Sequence, residues 1–500
     1  MIIRVFLLSF TIILLTNCSV NRLPYGPNKK YSSAELNKDY TTLRTILEKN
    51  HPALYWYTSR DSMNMYFSQY QKAIEDSMTE LQFGWKVLAP LTNKIRCGHT
   101  SFGMSKKYIR WTRNKRFSSF PLYMKVWNDT MVVTANLNRK DSIFRRGTII
   151  TAINDIRNKD MIKELFSFMT EDGYADNVNY ARLSSNFPYY HRNIFGLSRQ
   201  YKVEYLDSAG IEHTAYIPLF DPPRDTARRN LLPGINKKRP PELKTKRNES
   251  IRSMTIDTTL NTAIITLNGF SNGKLRSFFK ESFHSIRKNN INNVILDLRS
   301  NGGGKMALST LLTRYVTRRP FKIADTSYAV SRSLGKNTRY IKGNFLNNLG
   351  LFFFTRKKKD GLYHFIHWER KTFHPKTNNH YNGDLYVLTA GPTFSASALF
   401  CNDIKGQPGI FLGGEETGGG WHGNSGIIIP EITLPNTHLR VRLPLFKLVQ
   451  SNHIPKNGHG IMPDIPIGID YQALVKGIDK KMEVVRQIIS KKQTAGLRRK

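Results

Sequence analysis

Three short stretches hold residue types that could do chemistry together. The first, Leu385–Phe400 (LYVLTAGPTFSASALF), places Thr393, Ser395 and Ser397 between an apolar β-run and an apolar helical run. A hydroxyl at a strand-to-helix turn lies beside backbone N–H groups without helical partners, and such groups stabilise an oxyanion. The same serine could also be a plain helix N-cap. The second stretch, Leu296–Gly304 (LDLRSNGGG), ends in three glycines that could turn further N–H groups toward an anion. The third, Lys94–Phe102 (KIRCGHTSF), carries His99, a side chain suited to taking a proton near neutral pH. Acyl transfer needs a nucleophile, a base and oxyanion donors. All three are present if the chain folds back to bring His99 to the serine.

Other chemistries fit less well. A nucleotide phosphate loop needs Gly five positions before its final Gly-Lys and Ser or Thr after the Lys. Here those positions are Arg299 and Met306. The dinucleotide fingerprint lacks a third Gly three residues past Gly304. No H-E-x-x-H occurs, and His99, His422, His453 and His459 have no ligand-like grouping. Neither a metal nor a cofactor is expected.

The elements that must position these residues follow from hydrophobic period and turn residues. Residues 33–105 read as an N-terminal helical domain carrying His99. Leu36, Tyr40, Leu43, Ile46 and Leu47 mark one helix; Met65, Tyr66, Tyr70 and Ile74 mark a second. Ser77 with Glu80 suggests a capping box for a third, stopped at Gly98. Residues 117–218 are β-rich, with strands in PLYMKVW, MVVTANL, GTIITAIN and YKVEYL and one helix over Asp160–Met169. Residues 219–250 are basic and Pro-rich, as a linker would be. From residue 251 strands alternate with helices: AIITL, then Lys274–Lys288, VILDL, and a helix from Met306 to Tyr315. This order indicates a parallel α/β layer. Residues 318–383 read as an insertion or lid; strands are expected at Phe411–Gly414, Ile427–Ile429 and Leu439–Leu443. Residues 471–500 read as a C-terminal helix and basic tail.

The chain of 500 residues has 76 Lys and Arg against 37 Asp and Glu, a net charge of +39. No zinc-finger spacing, arginine-aromatic interleave or helix-turn-helix pattern accompanies this charge, so nucleic acid is not the expected partner. An anionic surface is a possible one. Residues 1–18 (MIIRVFLLSFTIILLTNC) have the outline of a lipoprotein-type signal peptide, with lipidation at Cys18 and a tether over 19–32. The expected location is therefore the cell envelope, lipid-anchored, facing the periplasm or on the outer membrane. Cys97 and Cys401 are the remaining cysteines; they could pair in an exported chain or stay as buried thiols.

LDLRSNGGG (Leu296–Gly304), TAGPTFSASALF (Thr389–Phe400), GEETGGG (Gly414–Gly420) and GIMPDI (Gly460–Ile465) occur in this order. Together they resemble the four signatures of the C-terminal processing, or tail-specific, serine peptidase family, which includes the tricorn-like branch. The resemblance covers about residues 251–470. More loosely, GTIITAINDIRNKDMI resembles the later half of a PDZ-like domain, although RFSSFPL lacks the glycines of a carboxylate-binding loop.

The resemblance implies an α/β fold: a crotonase-like (ClpP/crotonase-type) peptidase core over 251–470, a PDZ-like β-rich domain and an N-terminal helical domain. It implies Ser395 as nucleophile, with Ser397 as runner-up, and an oxyanion hole from the backbone N–H of Ala396 and of Gly303 or Gly304. Members with a Ser-Lys pair carry the Lys in a Thr-x-Gly-Lys-Gly segment, but Thr417–Gly420 has none, and Lys405 shares a helix with Ser395. The tricorn-like branch uses an upstream His, which points to His99 as base. Glu415, Glu416, Asp464 or the Asn457 amide are the candidates for orienting it. The implied activity is an exported serine endopeptidase acting on proteins or peptides, with no cofactor. The alternative is an inactive peptide-binding member of the same fold.

Overall fold

The structure, a computed structural model, describes residues 25–222 and 249–497. The expected leader, Cys18 and most of the linker lie outside the described residues. Among those residues, no helix is long and apolar enough to cross a membrane.

The N-terminal helices form where caps and apolar period coincide. Ser33–Asn50 opens on a capping box between Ser32 and Glu35 and buries Leu36, Tyr40, Leu43, Ile46 and Leu47. Arg60–Lys72 buries Met63 and Phe67, while Met65, expected on its inner face, points to solvent. The next capping box is Thr79 with Gln82, not Ser77 with Glu80. Ser77 is left-handed, at φ +61°, and the Glu80 carboxylate accepts from the Ser105 hydroxyl at 3.0 Å. From there Glu80–Phe83, Gly84–Leu88 and Ala89–Lys94 run on as one helical stretch with a π-turn in its middle. The left-handed residue after it is Arg96, at φ +55°, and not Gly98.

Leu122–Trp127, Thr130–Asn136, Ile149–Ile153, Gln200–Leu206 and Glu212–Pro218 form an antiparallel sheet in that order. Two helices lie in this region: Asn158–Phe166, and a second over Asn177–Phe195 that the sequence reading did not contain. Pro188 inside the second reads as a helix breaker, because it lacks an N–H and its ring crowds the preceding turn. A non-helical Asn186 kinks the helix just before it and relieves that clash.

The core sheet has six strands: Arg252–Asp257, Thr262–Leu267, Asn293–Asp297, Asp384–Thr389, Ile410–Gly414 and Ile465–Pro466. The first pair is antiparallel and the rest parallel. Alternate residues serve opposite faces. Val294, Leu296, Leu385 and Val387 pack with Leu275–Lys288, Met306–Val316 and Ala396–Ile404. Ile295, Tyr386 and Leu388 pack against Val485 and Ile489 of Lys480–Leu497. Burial on both faces explains why these strands read as unbroken apolar runs. The C-terminal segment is two helices, Tyr471–Lys476 and Lys480–Leu497, separated at the left-handed Gly477.

Residues 318–383 are structured. Ala324–Ala329 pairs with Lys447–Gln450 in a five-stranded sheet. Ala329, Leu334, Ile341 and Leu351 then enter the hydrophobic cluster of the N-terminal helices, together with Ile432, Val441 and Phe446. Ile427–Ile429 is not a strand; Glu431–Thr433 is, and it pairs with Arg440–Arg442. Phe102–Gly103 adds to the far edge of Arg440–Arg442. This pairing clamps the segment just after His99 to the C-terminal half of the chain.

Candidate active site

The strand Asp384–Thr389 ends at a turn, Ala390–Phe394, that leads into the helix Ala396–Ile404. Ser395 is the residue before that helix, yet its side chain makes no capping hydrogen bond. Its backbone is at φ +55°, ψ −120°, a region unfavourable to a residue with a Cβ, which costs about 1–3 kcal/mol when the surroundings enforce it. Two glycines do so. A Cβ on Gly303 would lie 2.7 Å from both the Phe394 carbonyl and the Ser395 Cβ, and one on Gly419 would lie 3.0 Å from the Ser395 nitrogen. The elbow is thus held between the triple-glycine turn and the Thr417–Gly420 segment, at the carboxyl ends of the parallel strands, where open α/β sheets place their sites.

His99 reaches this elbow from the N-terminal helical region. Its Nε2 is 3.0 Å from Ser395 Oγ. The ring is buried, 4.8 Å from the Phe394 ring. Gly98 and Gly426 leave room for it: a Cβ on Gly98 would meet the Phe394 ring at 2.6 Å, and one on Gly426 would meet His99 Nε2 at 2.6 Å. Among the described residues, His99 Nδ1 has no hydrogen-bond partner. The carboxylate that faces it is Asp172, with Oδ1 3.8 Å from Nδ1.

Asp172 comes from a loop that sequence reasoning passed over. Its Oδ1 accepts the Gly98 N–H at 2.8 Å, and Oδ2 faces the Gly420 N–H at 3.5 Å. The loop is fastened on both sides: Gly173 N–H donates to the Arg96 carbonyl at 3.0 Å and Tyr174 N–H to the Gly458 carbonyl at 2.8 Å. Glu171 beside it pairs with Arg96 and accepts from the Asn179 amide, while burial raises its carboxyl pKa. No motif in EDG (Glu171–Gly173) announces a site residue. The acids considered from sequence all lie downstream of Ser395, and Asp172 lies upstream.

None of those four candidates reaches His99. Glu415 pairs with Lys481 at 2.8 Å. Glu416 accepts the Gly460 N–H at 2.6 Å and faces His459. Asn457 accepts the His459 N–H at 3.0 Å. Asp464 accepts the Leu412 N–H at 2.9 Å and pairs with Lys405. That pairing also ties Lys405 to Asp464. Ser397 is buried, and its hydroxyl has no partner among the described residues.

Among the expected oxyanion donors, the Gly303 N–H is engaged by Asn301 Oδ1 at 3.0 Å. Gly304 and Ala396 donate no backbone hydrogen bond among the described residues. Gly304 must be glycine: at φ +138° its Cβ would sit 2.4 Å from Ser271 Oγ.

Two further groups surround the base. Cys97 Sγ is 2.9 Å from Ser425 Oγ, and burial pushes its thiol up to about 11, so it is neutral. Cys97 and Cys401 are both free thiols. Cys97, His99 and Asp172 each offer a ligand atom within 4.8 Å of the other two. A thiol, an imidazole and a carboxylate so placed could hold a zinc-like cation. Sequence spacing does not show this group, because Asp172 is far from the other two in the chain. His51 Nε2 is 2.6 Å from Thr100 Oγ1, and burial pushes that imidazole down to about 3.

Residues 261–467 match the sequence model of peptidase family S41. No curated protein sequence matches the chain. Among solved structures, mature CPAF complexed with lactacystin is similar at a TM-score of 0.62 and 12% identity, over 92% of this chain and 98% of that one. A second structure, of mature CPAF, is similar at 0.60 and 13%, over 92% and 98%. At such identity these two likenesses speak for the fold alone. Residues 261–467 are thus similar to peptidase family S41, and the class this defines is that of a serine-type peptidase.

Proposed function

We propose that this chain is an endopeptidase in which Ser395 is the nucleophile, His99 its base and Asp172 the residue that positions His99. The observation that carries this reading is the 3.0 Å separation of His99 Nε2 and Ser395 Oγ, the range in which a nucleophile passes its proton to a base. Ser395 Oγ attacks the scissile carbonyl as its proton moves to Nε2. The tetrahedral oxyanion is received by the free N–H groups of Gly304 and Ala396, and such donors are each worth about a hundredfold or more in rate. Collapse breaks the C–N bond, and the imidazolium returns its proton to the leaving amine. Water, activated by the same ring, then releases the acyl group from Ser395.

The wider reading places this chemistry on a crotonase-like core, next to a PDZ-like domain over 117–218, in a chain exported and lipid-anchored at Cys18. The doubly covered parallel sheet supports the first assignment, and the antiparallel sheet with its two helices supports the second. Protein or peptide segments are the substrate class. The competing reading, a peptide binder without turnover, draws on the unpartnered His99 Nδ1 and the 3.8 Å gap to Asp172.

A fluorophosphonate probe with unfolded casein separates the two. The parent is expected to be labelled and to cleave, and both Ser395→Ala and His99→Ala are expected to do neither. Labelling that persists in Ser395→Ala would remove the nucleophile assignment. A parent that neither labels nor cleaves would favour the binder.

A further inference from the structure

The helix Asn344–Phe354 (NFLNNLGLFFF) is built the wrong way round for a helix that only packs inward. Leu351 is its one buried residue, seated in the cluster of the N-terminal helices. Phe345, Leu346, Leu349, Phe352, Phe353 and Phe354 are each between 37% and 72% exposed. Of the exposed large apolar side chains among the described residues, the other ten are spread over the rest of the molecule. Four phenylalanines and two leucines so exposed present roughly 600 Å² of apolar surface, the upper end of what a monomer leaves uncovered without a use for it.

The surroundings of this helix have one sign. Residues 331–360 contain Arg332, Lys336, Arg339, Lys342 and the run Arg356–Lys359, against a single acid, Asp360. Asp360 is engaged by His364, and Lys358 by Glu369. Arg356, Lys357 and Lys359 form no ion pair among the described residues, and all three are exposed, the first two as a short strand. Arg332 stacks over the Phe352 ring at 4.0 Å and donates to the Phe352 carbonyl at 2.7 Å, which fixes the end of the helix. Aromatic side chains on a short, anchored helix with cations at both flanks match the chemistry of an anionic lipid surface. The rings enter the acyl boundary and the cations meet headgroup phosphates. A second copy of the chain is disfavoured, since each copy would bring the same excess of positive charge to the contact.

We infer that Asn344–Phe354 docks on an anionic lipid bilayer and inserts its phenylalanines below the headgroups. The proposal is independent of Ser395 chemistry and of any anchor at the N-terminus.

A site-specific probe tests it in the full chain. Phe353→Trp adds an indole at an exposed position, and its emission is taken as the difference from the parent's. Vesicles of phosphatidylcholine with one-third phosphatidylglycerol, carrying brominated acyl chains, are expected to blue-shift and quench that indole. Pure phosphatidylcholine vesicles are expected to do so far less, and the effect should weaken with salt. Replacing Arg356, Lys357 and Lys359 by Gln in the Phe353→Trp chain should raise the lipid needed for half-maximal quenching about fivefold per cation removed. Quenching absent from both vesicle types overturns the insertion. Equal quenching in both overturns the electrostatic match. An indole shift that depends on protein concentration without lipid overturns the bilayer as occupant in favour of a second copy.

Discussion

Asp172→Asn is the substitution that bears most directly on the site. It keeps the side chain's shape and an oxygen for the Gly98 N–H, and removes the negative charge facing His99. When Ser395 gives up its proton the ring becomes a cation, with Asp172 Oδ1 3.8 Å from Nδ1. At an effective dielectric of about 20, two unit charges at that distance attract by ~4 kcal/mol. Each ~1.4 kcal/mol is a factor of ten in rate, so the loss is bounded at roughly a thousandfold. Because no direct Nδ1 hydrogen bond is present, a fall in kcat of a hundredfold to a thousandfold is expected. The charge matters only once the imidazolium forms, so KM should change little. Steady-state cleavage of a quenched fluorogenic peptide, with thermal melting as a control for folding, measures both. A kcat within threefold of the parent, in a variant that melts normally, would refute the positioning role. A change confined to KM would refute it equally.

The other predictions come from the same neighbourhood. Gly303→Ala puts a methyl 2.7 Å from the Phe394 carbonyl and from Ser395 Cβ, at φ +92°; the variant should lose fluorophosphonate labelling and be less stable by about 1–3 kcal/mol in denaturant melts. Micromolar Zn²⁺ should inhibit reversibly by engaging Cys97, His99 and Asp172; chelator should restore activity, and Cys97→Ser should raise the concentration needed by tenfold or more. Acid should weaken the fold. His51 is held down to about 3 and His191 to about 4 by burial. Below the ordinary histidine value of about 6.5 the unfolded chain takes up these protons while the folded chain does not. Each histidine therefore costs up to ~1.4 kcal/mol per pH unit from about 6.5 down to its folded value. His51 accepts the Ala53 N–H on Nδ1 at 3.1 Å, which protonation would oppose; His51→Gln should flatten the slope of melting temperature against pH between 6.5 and 4.

What was legible in the sequence was short in range. The parallel strands could be read because both their faces are buried, and apolar runs such as Val294–Leu298 follow from that alone. The Gly302–Gly304 and Gly391–Ser395 turns could be read because local backbone constraints select glycine and small residues. Errors in the helical region were shifts of one or two residues: Thr79 and Gln82 cap where Ser77 and Glu80 were expected. The helix Asn177–Phe195 was hidden by Pro188, whose cost is met by a kink at Asn186. The face of Arg60–Lys72 was misread because Met65 carries the right hydrophobicity at a solvent position.

Asp172 was illegible for a different reason, and the reason explains how the site is built. The acid does not sit in a helix or strand whose period would mark it. It sits in a loop whose position is set by backbone hydrogen bonds to Arg96 and Gly458, and such bonds leave no trace in side-chain type. What does leave a trace is the space the loop requires. A Cβ on Gly173, at φ +62°, would lie 2.5 Å from the Gly458 carbonyl, and one on Gly420, the last residue of the lysine-free segment Thr417–Gly420, would lie 3.5 Å from the Asp172 Cβ. That segment, Thr417–Gly420, here packs against the Ser395 elbow through Gly419 and offers the Gly420 N–H toward Asp172. The lysine-free segment thus belongs to the same arrangement as the upstream histidine: one backs the elbow with glycine, and the other supplies the ring facing Ser395. The consequence is directional. Placing a lysine at Gly420, the position that a Thr-x-Gly-Lys-Gly segment would give it, should not convert the pair to Ser-Lys chemistry, because even a Cβ there would lie 2.8 Å from the Gly423 carbonyl and 3.5 Å from the Asp172 Cβ. Gly420→Lys should push Asp172 away from His99 and abolish labelling instead, and a Gly420→Lys, His99→Ala chain that still labels would contradict this account of the base.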